Sequence, residues 1–276
     1  MAGDGRPIGV FDSGMGGLTV LRALAVRLPS ERFIYLGDTA RLPYGTKSPY
    51  TVTAYALQAT RLLVTEGVKM VVIACNTASS VALKPLAAAL VPVPVIGVIE
   101  PGARAGVEAT RNNFIAVIAT EGTVKGMAYA RAITALRDDV KVVQQPCQVF
   151  VALAEEGWTD SPATRAAAEV YLGPLFAQEL APDTLVLGCT HFPVLTGAIR
   201  GIIGSSIALV DSAQTTAEAV AKALESQELG AETNGGDRSI RFFATDSPER
   251  FARVGQIFLG QPIEADAVEF VDLRGT

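Results

Sequence analysis

Only three cysteines occur in 276 residues, and an odd number argues against a disulfide framework. No apolar run approaches the ~20 residues of a bilayer-spanning helix, so no membrane association is expected. The opening "MAGDGRPIG" lacks the basic and apolar regions of a signal peptide, which makes a cytoplasmic location the expectation. Clusters of Lys and Arg are missing and the net charge is −5, which disfavours an electrostatic nucleic-acid surface. Charge runs and low-complexity tracts are absent. There is a single histidine, His191. No C-x₂-C pair is present, and the glycines of "FDSGMGGLTV" (11–20) match neither G-x-G-x-x-G nor a loop ending in G-K-[ST].

What is present is apolar: 49% hydrophobic residues against 18% charged, as suits sheets buried on both faces. Short β-rich runs alternate with helical patterns, the mark of a parallel α/β fold. Strands are expected at 7–11, 32–37, 70–74 and 94–98. Ser48-Pro49 reads as an N-cap followed by proline in the first turn of a helix that Gly67 ends. A further helix is expected from about residue 78, interrupted at Pro85. The pattern then restarts, with strands at 114–119, 140–144 and 184–188 and helical segments near 123–137, 149–156, 162–180 and 193–203. The tail supplies further βα units from 207–212, 239–245 and 266–270, with 226–239 as a polar, Gly-rich loop.

Two strand ends carry related motifs, "VVIACNTASS" (71–80) and "TLVLGCTHFP" (184–193). Asp12 ends the first strand of the first half and Thr120 the equivalent strand of the second. From Asp12 to Cys75 is 63 residues and from Thr120 to Cys189 is 69, a spacing that fits two related halves. Ligands of α/β sheets sit beyond the carboxyl ends of strands, where Asp12, Cys75 and Cys189 fall. A free cysteine is more often a small buried hydrophobe than a reactive group. Two at matching positions, each followed by hydrogen-bonding residues, favour chemistry. His191, two residues from Cys189, can tune that thiol near neutrality. Cys75, Cys147, Cys189 and His191 also add up to a Cys₃His zinc set, but C-x-H is not the usual chelating spacing, and no metal is expected.

Two thiols facing one substrate can remove a proton from one side of a carbon and return one to the other, which inverts a stereocentre. A thiol pKa of about 8.5 leaves both forms within reach. Asp12 and His191 are the neighbours that could adjust them, and Ser13, Asn76, Thr77 and Thr190 the donors that could stabilise developing charge. The scheme needs no cofactor, and no lysine stands out as a pyridoxal ligand. A zinc hydrolase using Cys75, Cys189 and His191 is a rival. A two-domain periplasmic-type binding protein is another, but it has no use for paired cysteines.

At "GVFDSGMGGLTVL" (9–21), "YLGDTARLPYGTKS" (35–48), "ACNTAS" (74–79), "GVIEPG" (97–102), "LVLGCTHFPVL" (185–195) and "VDSAQTTA" (210–217), the chain resembles the glutamate racemases. These are cofactor-independent enzymes that supply D-glutamate for bacterial peptidoglycan. The "GCTH" motif separates it from the related aspartate racemases, which look like "GCTE" there. Aspartate or hydantoin remain the nearest alternative substrates.

The resemblance implies an α/β fold of two related Rossmann-like, three-layer domains with parallel-rich sheets and the site in the crevice between them. Residues 7–98 with 212–276 would form the first domain and 99–211 the second. It implies Cys75 and Cys189 as the acid/base pair, with Asp12 assisting Cys75 and His191 assisting Cys189. Asp12-Ser13, Tyr44-Gly45, Asn76-Thr77 and Thr190-His191 would hold glutamate. Glu155 matches a family acid, and a homodimer is the expected assembly. "QPCQVF" (145–150) departs from the family's P-C-P, with Gln148 in the last place, which leaves the local turn and the role of Cys147 open.

Overall fold

Burial of alternating apolar strands sets the architecture. The computed structural model describes residues 3–232 and 239–273. The first half runs β1 (Ile8–Asp12), α1 (Leu18–Arg27), β2 (Phe33–Gly37), α2 (Pro49–Thr65), β3 (Met70–Ile73), α3 (Asn76–Ala89) and β4 (Val95–Gly97), and α4 (Ile99–Ala109) leads into the second. The second runs β5 (Phe114–Ala119), α5 (Glu121–Lys125), α6 (Ala128–Leu136), β6 (Lys141–Pro146), α7 (Val149–Glu155), α8 (Pro162–Phe176), β7 (Thr184–Gly188), α9 (Thr196–Ile203) and β8 (Ala208–Asp211). The tail adds α10 (Ser212–Ser226), β9 (Ile240–Ala244), α11 (Pro248–Leu259) and β10 (Val268–Phe270).

The strands form two sheets, ordered β10-β9-β2-β1-β3-β4 and β6-β5-β7-β8, with every strand pair parallel. The inner order repeats: β2-β1-β3-β4 in one sheet, β6-β5-β7-β8 in the other. In such a sheet the crevice opens where the strand order reverses, between β1 and β3 and again between β5 and β7. Strands β1, β2, β3 and β7 are buried throughout, as expected of parallel strands covered on both faces. The tail strands β9 and β10 extend the first sheet beyond β2, while α10 lies against α1 and α4.

Helix α2 starts as its sequence dictates: Ser48 Oγ accepts from Thr51 N at 3.2 Å, with Pro49 in the first turn. Elsewhere the structure departs from expectation. Helix α3 begins at Asn76 and continues past Pro85 to Ala89. An interior proline costs ~3 kcal/mol, and here the buried Ala78, Ala82 and Leu86 face offsets it. The expected helix over 123–137 is two helices, broken at Met127, whose φ of 51° is left-handed. Helix α8 stops at Phe176, and the segment expected from 193 opens with a 3₁₀ turn, Phe192–Leu195, before α9. Of the loop expected over 226–239, residues 233–238 lie outside the described residues.

At the amino ends of the strands Lys69 and Glu31 form a buried ion pair, Nζ to Oε2 2.6 Å. Lys69 also donates to Asp4 O at 2.7 Å. Among the described residues, no helix is long and apolar enough to cross a membrane.

Candidate active site

The carboxyl ends of β1, β3, β5 and β7 meet at one small cavity of about 40 Å³. Ser13, Tyr44, Gly45, Cys75, Asn76 and Thr77 line it from the first half, and Thr120, Cys189, Thr190 and His191 from the second. The sequence-predicted residues therefore converge, apart from Asp12 and Glu155, which stand one layer back. Neither Lys nor Arg is among the lining residues.

Cys75 is the residue before α3, and its Sγ accepts from Ala78 N at 3.4 Å and lies 3.5 Å from Ser13 Oγ. Burial pushes this thiol up to about 12, with the Asp12 charge adding to the effect and Ser13 and the Ala78 N–H partly opposing it. Asp12 is itself buried. Its Oδ2 accepts from Gly14 N at 2.9 Å, while Oδ1 has no hydrogen-bond partner among the described residues. Burial raises its carboxyl above the ordinary value, against the pull of His191 and of the Gly17, Gly14 and Ser13 N–H groups.

The other face is organised around a cation. His191 Nδ1 lies 3.8 Å from Cys189 Sγ, and Nε2 is 3.2 Å from Glu155 Oε1. Glu155 Oε2 accepts from Arg250 of α11 at 2.8 Å. Burial alone would lower the imidazole, but the hydrogen bonds and charges of Cys189 and Glu155 outweigh it and raise it to about 10. Glu155 moves the opposite way: burial would raise it, and His191 and Arg250 bring it below the usual carboxylate value. At neutral pH the ring is therefore an imidazolium held between a carboxylate and a sulfur. Phe258 packs edge-on against it, ring centroids 4.9 Å apart.

Hydrogen bonds tie the two halves together around the cavity. Thr77, Thr120 and Thr123 form a hydroxyl triangle with sides of 3.0, 3.1 and 3.4 Å. Thr19 of α1 donates to Thr190 O at 3.0 Å. Tyr129 of α6 donates to Asn76 Oδ1 at 2.8 Å, and Asn76 Nδ2 is buried with no partner among the described residues. The Tyr44-Gly45 loop is fixed from behind: Asp38 accepts from the Tyr44 hydroxyl, from Arg41 Nε at 2.7 Å and from Thr245 at 2.9 Å. Gly16 is required by contact, since a Cβ there would lie 2.4 Å from the His191 ring and 2.6 Å from Thr190 Oγ1.

Several residues were not assigned to the site from the sequence: Thr120, Gln148 and Val151, which line the cavity, Thr123 beside Thr120, and Tyr129 and Arg250 behind it. Thr120 carried a signal, because it ends the strand equivalent to the one Asp12 ends. Tyr129 and Arg250 carried none. Cys147 is buried in the core, its Sγ 3.6 Å from Gln145 O. Among the described residues no three His, Cys, Asp or Glu side chains converge as a metal-ligand group.

Parallel sheets of repeated topology bring two cysteines to one crevice. The chain belongs to the family described as Asp/Glu/Hydantoin racemase, whose profile matches residues 17–220. Within that family it is similar to glutamate racemases. The Geobacter metallireducens enzyme of that name is 50% identical over 255 residues, covering 92% of this chain and 93% of the relative. The crystal structure of glutamate racemase from Francisella tularensis in complex with D-glutamate superposes with a TM-score of 0.90 at 35% identity, covering 99% of this chain and 100% of that one. The Thermus thermophilus glutamate racemase, in complex with β-chloro-D-alanine, superposes with a TM-score of 0.85 at 43% identity and 98% coverage of both chains.

Proposed function

We propose that this protein interconverts L- and D-glutamate without a cofactor, with Cys75 and Cys189 as acid and base on opposite faces of the substrate Cα. The observation that carries the reading is the asymmetry of the two sulfurs in one cavity. Cys75 is held as a neutral thiol, pushed up to about 12, while Cys189 lies beside the His191 imidazolium. A two-base racemisation needs one proton donor and one acceptor at the start of each turnover.

In the forward step a thiolate takes the Cα proton, the C–H electron pair stays on the substrate as a carbanion, and the facing thiol returns a proton to the other side. No oxidant or reductant is consumed. The carbanion's charge would be met by Asn76 Nδ2, the Thr190 hydroxyl and the N–H groups that open α3. The unpartnered Asp12 Oδ1 suits the substrate ammonium. The D-glutamate formed would serve peptidoglycan synthesis, as the resemblance implies. The same reading divides the chain into a first domain of 7–98 with 212–276 and a second of 99–211.

The test is to incubate the purified protein with L-glutamate and follow loss of optical rotation, with aspartate and a hydantoin in parallel. In D₂O, early product should carry deuterium at Cα while recovered substrate does not. Racemisation of aspartate alone would move the substrate assignment, and equal early labelling of both enantiomers would exclude the two-thiol scheme.

A further inference from the structure

The cavity has to accept a dicarboxylate, yet it offers no Lys or Arg among its lining residues. Carboxylate recognition then falls to the His191 ring and to neutral donors such as the unpartnered Asn76 Nδ2, and one further donor in the lining has no role yet. The Thr77, Thr120 and Thr123 hydroxyls satisfy one another within their triangle. Gln148 also lines the cavity, half-buried at the residue before α7. Its Oε1 accepts from Glu121 N at 3.1 Å. An N–H can only point at the oxygen of an amide, so this contact fixes which end of the side chain is which. The –NH₂ end has no protein partner among the described residues. It carries two donors beside Thr120, whose successor Glu121 the other end holds.

We infer that Gln148 is a substrate-binding residue that donates from Nε2 to a carboxylate of the substrate. The inference rests on the glutamate racemase reading above. Oε1 anchored on the α5 backbone removes the rotamer freedom that a glutamine would otherwise lose on binding, so the donor is pre-positioned. A donor that contacts a carboxylate equally in ground and transition state contributes to KM and leaves kcat little changed.

Two variants separate this role from a purely structural one. Gln148→Leu removes both ends of the amide. Gln148→Glu keeps an oxygen to accept from Glu121 N and replaces the donor with a second oxygen. Hydrogen bonds to charged groups are worth ~1.5–3 kcal/mol, which corresponds to roughly 10- to 150-fold in affinity. KM for both enantiomers of glutamate should therefore rise about 10-fold or more in Gln148→Leu and further in Gln148→Glu, with kcat and melting temperature close to wild type. A Gln148→Glu protein with wild-type KM would show that Gln148 only caps α5 and would overturn the inference. So would an unchanged KM in Gln148→Leu, which would reduce any Gln148→Glu effect to charge repulsion. Wild-type protein inert toward glutamate would remove the functional reading and this inference together, whereas active wild type with an unaffected Leu variant removes the inference alone.

Discussion

Tyr129 reaches from α6 in the second half to donate its hydroxyl to Asn76 Oδ1, 2.8 Å away at the start of α3 in the first. That contact holds the oxygen end of the Asn76 amide and leaves its donor end without a partner among the described residues. On the proposed function, the unpartnered Nδ2 is a donor for the substrate. Tyr129→Phe should leave Oδ1 buried without its partner, destabilising the fold by about 1–3 kcal/mol. It should also lower kcat/KM equally in both directions as the amide loses its fixed orientation. Urea denaturation alongside kinetics for both enantiomers checks this. Unchanged kinetics would make the contact purely structural.

His191→Asn should lose on the order of 10²–10⁴-fold in kcat/KM, the usual worth of general acid–base help. Racemisation has an equilibrium constant of one, so the loss must be the same for both enantiomers. Substrate deuterium isotope effects should become unequal between directions, because proton transfer at Cys189 becomes the slower step. A near wild-type kcat/KM would show that the ring does no more than fill space against Phe258.

The imidazolium also makes stability depend on pH, with a sign that follows from the shift. An unfolded histidine titrates near 6.5, and His191 in the fold is raised to about 10. The folded state thus holds a proton that the unfolded chain releases as pH climbs between these values. The stabilisation is complete below about pH 6.5 and is lost progressively toward pH 10. The gap in urea midpoint between wild type and His191→Asn should narrow across that window. A gap that stays constant would show that the ring is not protonated in the fold.

Gly16→Ala places a methyl within 2.4 Å of the His191 ring and 2.6 Å of Thr190 Oγ1. Neither neighbour has room to yield, because Thr190 O is held by Thr19 and the ring is held by Glu155 and Phe258. Overpacking of this kind costs about 1–3 kcal/mol. Because the displaced group is the one beside Cys189, kcat should fall more than stability does. Thermal denaturation combined with turnover measurements distinguishes the two effects.

Much of this was legible before any coordinates. The central strands are short, apolar and bounded by turn residues, so β1, β3, β5 and β7 declare themselves, and the repeated strand–cysteine motif follows from them. Cys75, Cys189, Asp12 and His191 were readable because a strand's carboxyl end faces the crevice wherever the sheet is parallel. What escaped was set by tertiary packing, within each half and between them. Met127 breaks a continuous helical pattern through its own left-handed backbone, where Gln144 Nε2 lies 3.0 Å from its Sδ. Pro85 looked like a breaker and is not one, because packing of α3 outweighs propensity. Tyr129 and Arg250 reach the site across long sequence separations, and local pattern carries no trace of that.

The hydroxyl triangle, the Tyr129–Asn76 contact and the Thr19–Thr190 contact surround two sulfurs that are both buried. On the two-thiol reading, each turnover that begins with the proton on one sulfur ends with it on the other. The protein that releases D-glutamate is therefore a different protonation isomer from the one that bound L-glutamate, and it is ready only for the reverse journey. On that reading, before a second L-glutamate can react the two isomers must exchange protons with solvent, and burial of both sulfurs slows that exchange. On the two-thiol reading the protein would thus retain, for a time, a record of the hand of the last molecule it converted.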